Sequence, residues 1–268
     1  PKVFHLGLQR DDVVWIGGLA LPTPRVSSLF NWYRDQARAE IVRAVDMLTR
    51  RQRADGAIGY WSPTDWSSMW LSSYAGIVLL DAREAGVAVD TMVLSRIAGY
   101  VSSELRGESK PTFSPVASYY DRPEFRLRER VAAVDFLSRL RRPEVASENE
   151  LLRSAALLTL EDRARLAEVL ARRGQMAPAR RLMAATWSQV RVEGTRATVP
   201  DSMIAPFYFE SAIRPIARIL LATLAVEPEH ALVGPLAETL AQQSRGGTSW
   251  MWNTQDYAAA VGVLARFA

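Results

Sequence analysis

Residues 70–80 read WLSSYAGIVLL, and this stretch decides the fold. At helical spacing it is apolar or small on nearly every side, which predicts a helix that is buried all round. The helix before it differs, because Ala37, Ile41 and Leu48 recur at the 3.6-residue period with arginines on the opposite side. A buried helix beside an amphipathic one predicts an inner and an outer layer.

This alternation continues to the end of the chain, while strand patterns are nearly missing. A weak alternation around Gly194 predicts a small β-hairpin near 190–199. We therefore expect an all-α fold, an α/α toroid of antiparallel helical hairpins in a single domain over residues 1–268, with an irregular segment over 1–26. An open α-solenoid is the structural alternative. The predicted helices run from about Ser27 to 53, 66–85, 90–107, 124–141, 151–158, 159–173, 178–190, 211–226, 232–243 and 254–267.

Composition excludes several kinds of chemistry. The chain has no cysteine, which removes disulfides, thiolate metal sites, cysteine nucleophiles and any internal thioester. His5 and His230 are the only histidines, so a histidine-rich metal site is not expected. No nucleotide-binding glycine loop, nucleophile elbow or zinc-protease motif occurs. We predict no metal, no cofactor and no catalytic residue.

The positive charge does not by itself indicate nucleic acid. Net charge is +4 and the isoelectric point is about 9.6, but the arginines are interleaved with acids, as in RLRER at 126–130 and EDRAR at 161–165. Such mixed runs predict solvated helix faces with ion pairs one turn apart. We therefore expect no nucleic-acid partner.

No targeting segment or membrane span is recognisable in this sequence. The chain begins at Pro1, which leads us to expect a mature or excised segment of a larger multidomain protein.

Carboxylates near the predicted rim of the ring offer an enzymatic alternative. They are Asp55, Asp65, Asp81 and Glu84. A glycan-processing toroid would need two of them on either side of a cleft, and a terpene-cyclase-like one would need an Asp-rich motif, for which Asp11-Asp12 is a poor match. Surface acids on helices are the simpler interpretation. Carboxylates gathered at the cavity would favour an enzyme, whereas closure by Trp and Leu would favour protein contact.

Aromatic residues cluster in two similar loops, in which a Gln ends a helix, a glycine turn follows and a Trp folds back. The loops cover Gln52–Trp61 and Gln243–Trp250. Aromatics at such loop ends can grip a partner protein or plug the end of the core. We name Tyr60, Trp61, Trp66, Trp250 and Trp252 as protein-contact candidates.

Four segments, in order, resemble the thioester-domain region of the bacterial α2-macroglobulin family. They are Gln52–Gly86, Asp162–Ala179, Tyr208–His230 and Trp252–Ala258. The resemblance covers most of residues 40–268, and each segment alone is weak.

The resemblance implies an α/α toroid from a periplasmic or cell-envelope protein that traps proteases as a broad-spectrum endopeptidase inhibitor. In thioester-bearing members a Cys and a Gln of a C-x-E-Q motif form the reactive bond, which this cysteine-free chain cannot form. The implied partners are neighbouring domains of the parent protein and trapped proteases. A helical-repeat adaptor is a third and weaker interpretation.

Overall fold

The computed structural model describes residues 13–16, 19–107, 123–200, 211, 213–245 and 254–267. Helices dominate these residues, and two small antiparallel hairpins accompany them. The elements are β1 (Val13–Ile16), β2 (Leu19–Pro22), α1 (Thr23–Arg50), α2 (Met69–Glu84), α3 (Thr91–Leu105), α4 (Pro123–Arg139), α5 (Val145–Arg153), a 3₁₀ turn (Ala155–Leu157), α6 (Leu160–Arg172), α7 (Met176–Trp187), β3 (Arg191–Glu193), β4 (Arg196–Thr198), α8 (Arg214–Val226), α9 (Val233–Arg245) and α10 (Thr254–Phe267).

The helices form two layers. Along the inner layer α2 packs on α4, α4 on α6, α6 on α8 and α8 on α10. The outer helices bridge neighbouring inner ones: α3 packs on α2 and α4, α7 on α6 and α8, and α9 on α8 and α10. The all-α prediction is confirmed, and even-numbered helices lie inside while α3, α5, α7 and α9 lie outside.

The inner helices run parallel to one another. At their amino-terminal ends, Arg128 of α4 reaches Asp162 of α6, and Ser211 before α8 reaches Asp256 of α10. At the carboxyl-terminal ends, Arg139 of α4 reaches Asp81 of α2. Each outer helix carries the chain back to the starting end, so one end of the molecule collects the starts of the inner helices and the ends of the outer ones, and the other end collects the reverse.

The predicted hairpin near 190–199 is confirmed. Strands β3 and β4 pair from Arg191 with Thr198 to Glu193 with Arg196, and Gly194 at φ +63° forms the tight turn. The Thr239 hydroxyl of α9 donates to the Ala197 carbonyl at 2.9 Å and accepts from its N–H at 2.8 Å, which ties the hairpin to the outer layer.

The prediction of an irregular segment over 1–26 is wrong for residues 13–16 and 19–26. Strands β1 and β2 pair from Val13 with Pro22 to Ile16 with Leu19, and α1 begins at Thr23 rather than near Ser27. Two apolar runs around Gly17-Gly18 were the hairpin signal. Pro24 is tolerated in the first turn of α1 because no helical hydrogen bond needs its N–H.

Helices α2 and α4 approach closely at a glycine. A Cβ atom at Gly76 would lie 2.3 Å from the ring of Phe136, which is itself fully buried. This contact brings the apolar core face of α2 against α4. The two helices also meet at the amino-terminal end of α2, where the Glu129 carboxylate accepts hydrogen bonds from the Trp70 N–H and the Ser68 hydroxyl.

Candidate functional site

The inner helices surround a central cavity of about 430 Å³ to which α2, α4, α6, α8 and α10 all contribute. One wall of this cavity is apolar and aromatic. Trp70 and Tyr74 of α2 stack with ring centroids 5.4 Å apart and planes 1° from parallel. Ile77, Leu221 and Val263 add aliphatic side chains to the lining from three different helices. The cavity therefore offers a flat aromatic surface beside aliphatic side chains.

The facing wall is charged. Its arginines and acids come mainly from α4, α6 and α8. At the amino-terminal end, Arg128 Nε lies 3.2 Å from Asp162 Oδ2, and Arg128 Nη2 lies 3.5 Å from Glu161 Oε2. Asp162 also accepts a 2.7 Å hydrogen bond from the hydroxyl of Thr159, the N-cap of α6. The Thr159 hydroxyl caps α6 by accepting from the Asp162 N–H at 3.2 Å, and the Asp162 carboxylate both orients that hydroxyl and holds α4 beside α6.

Glu161 has arginines on both sides. Arg214 Nε lies 3.7 Å from Glu161 Oε1, opposite the contact with Arg128. Burial opposes ionisation of Glu161, but Arg128 and Arg214 outweigh it and hold the pKa of this carboxyl below its usual value. Glu161 is therefore a fixed anion that joins α4, α6 and α8.

Asp135 is the centre of a second cluster, behind the cavity wall. Its side chain is fully buried, with Arg139 Nε at 3.3 Å, Arg172 Nη1 at 3.2 Å and Arg165 Nε at 3.8 Å. Desolvation would raise the pKa of Asp135, but these arginines hold it well below the usual range. One buried carboxylate thus serves three guanidinium groups, and the cluster has more positive than negative charge.

The charged wall corrects the sequence-based interpretation of the mixed runs. Arg128, Glu161, Asp162 and Arg165 were expected on solvated faces, yet all four line the cavity and are largely buried. The interpretation failed because periodicity shows which residues share a helix face but not whether that face meets a second charged helix. The expected inner ring of apolar helices is correspondingly wrong for α4 and α6.

The carboxylates around the cavity do not form a paired acid and base. Asp81 is held by Arg139 at 3.1 Å, whereas Glu161 is held by Arg128. Those two arginines are eleven residues apart on α4, about 16 Å along its axis at 1.5 Å per residue, so they hold the two carboxylates toward opposite ends of the helix. Asp81 and Glu84 lie one turn apart on α2, on the same side of anything bound in the cavity. Burial is the main reason that the pKa of Asp81 is raised.

The remaining sequence candidates lie apart from the cavity. Asp55 pairs with Arg53, and Asp65 accepts from the Trp61 N–H within the same loop. His230 lies in the turn before α9, where it stacks on Trp187 at 3.9 Å. His5, Asp11 and Asp12 lie outside the described residues.

The loop before α2 holds the aromatic contact candidates. Tyr60 stacks on Trp66 at 4.5 Å and meets Trp61 edge-on at 4.8 Å. Trp61 is 71% exposed, so it does not plug the core, whereas Trp66 is half-buried. Trp250 and Trp252 lie outside the described residues.

That loop is held rigidly. The Tyr60 N–H donates to the Trp66 carbonyl at 3.0 Å, and Arg51 Nη1 donates to the Tyr60 carbonyl at 3.0 Å. Gln52 Nε2 donates to the Val93 carbonyl of α3 at 2.9 Å. The exposed Trp61 ring therefore stands on a fixed support.

Among the residues that the structure describes, no group of three or more His, Asp or Glu side chains is placed to hold a metal ion. Among the helices that the structure describes, none has both the length and the apolar character that crossing a bilayer requires.

Solved bacterial alpha-2-macroglobulins share this arrangement. Trypsin-activated alpha-2-macroglobulin from Escherichia coli matches with a TM-score of 0.63 and 19% identity, over 83% of this chain and 14% of that one. The native E. coli protein, from domain MG7 to the C-terminus, matches with a TM-score of 0.67 and 18% identity, over 87% of this chain and 35% of that one. The Salmonella alpha-2-macroglobulin reacted with methylamine matches with a TM-score of 0.61 and 16% identity, over 82% of this chain and 14% of that one.

The fold occurs in bacterial alpha-2-macroglobulins. At these identities the likeness shows the fold alone, and this chain spans between 14% and 35% of the three chains. No family model matches the chain, and no curated protein matches it.

Proposed function

We propose that this chain is an α/α-toroid domain of an alpha-2-macroglobulin-like protein of the bacterial periplasm or cell envelope, and that it contributes to a protease trap by protein contact. The structural likeness over 81–87% of the chain carries this proposal. The sequence segments that resemble the family add to it, because they fall on or beside the inner helices α2, α6, α8 and α10. A chain that matches only part of much longer proteins fits the role of one domain.

The domain's role in the trap is non-covalent. With no cysteine, the chain can form no thioester of its own. The Salmonella alpha-2-macroglobulin has been solved after reaction with methylamine, and the same reagent serves as a chemical test for this protein. We propose that the domain supports its neighbours and that any reactive thioester in the parent protein lies outside this chain.

Trp61 is the strongest contact candidate among the described aromatics. It combines a large exposed ring with a rigid loop, and exposed tryptophans frequently become binding hot spots because they bury much area at low entropic cost. We propose that a neighbouring domain of the parent packs on Trp61, Tyr60 and Trp66, and the contact roles of Trp250 and Trp252 stay predictions.

Four carboxylates line the cavity, as the enzymatic alternative requires, but their arrangement does not favour it. A general acid and its partner carboxylate must flank the reacting bond. Asp81 and Glu84 share one face of α2, while Glu161 and Asp162 are held by Arg128 at the other end of the cavity.

The test uses the natural full-length gene product. It is incubated with trypsin, and residual cleavage of casein is compared with cleavage of a small chromogenic peptide. A protease trap suppresses casein cleavage and leaves peptide cleavage largely intact. Equal cleavage of casein with and without the protein would overturn the proposal. Incorporation of labelled methylamine then tells a thioester-bearing parent from one that acts by steric enclosure.

The contact role of Trp61 is tested in the same protein. Trp61→Ser should weaken inhibition of casein cleavage or loosen the parent in limited proteolysis. Leu157→Ser is the matched control, because Leu157 is 70% exposed in the turn after α5. Equal behaviour of the two variants would remove Trp61 from the proposal.

A further inference from the structure

The central cavity has the features of a small-molecule site. A role in protein contact does not require these features. Its volume of about 430 Å³ falls within the range of roughly 300–1,000 Å³ typical of small-molecule sites. The stacked pair Trp70 and Tyr74 faces a wall of guanidinium groups across it. Such a two-sided lining suits a molecule with an apolar body and a charged head.

A negative head fits the arginines of this lining. They are Arg128, Arg139, Arg165, Arg214, Arg218 and Arg266, and the lining also holds four carboxylates, while Asp135 and Glu168 pair with some of these arginines from outside it. The carboxylates Asp81, Glu161 and Asp162 are each already held by an arginine. Arg218 Nη1 is in turn engaged by Glu168 Oε1 at 3.3 Å.

Arg165 has the longest ion pair among the buried arginines of the lining. Its side chain is 14% exposed, and its Nε is buried without a hydrogen bond. Its ion pair with Asp135, at 3.8 Å, is longer than those of Arg139 and Arg172 to the same carboxylate. Burial and the neighbouring Arg218 lower the pKa of Arg165, so an anion placed beside these two arginines would be strongly favoured.

We propose that the central cavity binds a small organic carboxylate, with its head on Arg165 and Arg218 and its aromatic or aliphatic body against Trp70 and Tyr74. Guanidinium groups favour a planar oxyanion because they can donate two parallel hydrogen bonds. This site does not depend on the proposed protease trap and can be tested separately.

The experiment measures binding to the purified chain by isothermal titration calorimetry at low salt. The probes are 1-naphthoate, its neutral analogue 1-naphthamide, and inorganic sulfate, an anion without an apolar body. We expect 1-naphthoate to bind with a stoichiometry of one and at least tenfold more tightly than either other probe. No saturable binding of naphthoate at millimolar concentration, or equal binding of naphthamide or sulfate, would overturn the proposal.

Two variants locate the site. Arg165→Met keeps an unbranched apolar stem and removes the charged guanidinium, and it should weaken naphthoate at least tenfold while hardly changing naphthamide. Arg180→Met, on the exposed side of α7, is the control and should change nothing. If Arg165→Met unfolds the chain, Ala258→Trp decides, because Ala258 is exposed and lines the cavity, so that its replacement obstructs the site without touching the arginines. Naphthoate binding that survives Ala258→Trp would contradict the assignment.

Discussion

Helices α2 and α4 are neighbours in the inner layer but are held in place by different forces. Helix α2 buries Ala75, Gly76 and Leu79, and its ion pair with α4 lies at its carboxyl-terminal end, through the half-exposed Asp81. Helix α4 buries apolar residues too, but among them it buries Asp135, with arginines reaching it from α4 and α6. An inner position in this fold therefore does not require an apolar helix, provided that each buried charge finds a partner.

The largest expected effect comes from breaking the buried ionic contacts of α4. Asp135→Asn leaves the shape but removes the anion that serves Arg139, Arg165 and Arg172. Loss of one partner from a buried ion pair typically costs about 3–5 kcal/mol, and we expect a decrease of that size in the free energy of unfolding in urea at pH 7.

The matched control for this substitution is Asp46→Asn. Asp46 pairs with Arg50 at 2.9 Å on exposed α1, and a surface pair of this kind contributes about 0.5 kcal/mol or less. If the two variants were equally stable, the buried cluster would not be what holds α4 in place.

The next largest effect comes from disturbing the close apolar packing of α2 on α4. Gly76→Ala places a methyl group against the fully buried ring of Phe136, and overpacking of this kind costs about 1–3 kcal/mol. The better helix propensity of alanine offsets part of this cost. The measurement is again urea unfolding.

Gly99→Ala on α3 is the control for this substitution, because a Cβ there meets no atom within 4 Å. We expect it to stabilise the chain by up to about 1 kcal/mol. A Gly76→Ala variant as stable as Gly99→Ala would show that the two helices can separate at no cost.

The smallest effect concerns the point where the two helices meet. Burial is the main cause that raises the pKa of Glu129 to about 7, against 4.5 for an unperturbed carboxyl. A raised carboxyl pKa means that the folded state holds its proton more tightly. The stability it contributes is therefore present below pH 4.5 and is lost as the pH rises through about 7.

Glu129→Gln removes this titration and keeps one acceptor oxygen. We expect the variant to be more stable than the natural chain by about 1–2 kcal/mol at pH 8 and no more stable at pH 4.5. Thermal unfolding at the two pH values measures the difference. Glu150→Gln is the control, since Glu150 pairs with Arg130 at an exposed position, and it should show no such dependence. A gain in stability that is the same at both pH values would contradict the raised pKa of Glu129.

The same two helices show what could be predicted from sequence. Helix α2 was predicted because its burial follows from apolar residues alone, and the hairpin at β3 and β4 followed from Gly194 and the alternation around it. The role of Asp135 was missed because its partners Arg165 and Arg172 lie 30 or more positions away on another helix. A signal was present, however: Asp135 interrupts the run VAAVDFL at 131–137, where a charge has no solvated face. The cavity itself required the three-dimensional packing of the five inner helices.

The step-by-step packing of the inner layer has a consequence for cooperativity. Because each inner helix packs on the next one along the chain, stability behaves as a sum over neighbours, as in repeat proteins, and can be lost piecewise from the ends. Ionic links through Asp135, Glu161 and Glu168 join α4, α6 and α8, so these three helices form the most persistent unit. Amide hydrogen exchange should accordingly be slowest there and fastest in α1 and α10, with α10 released before the centre gives way.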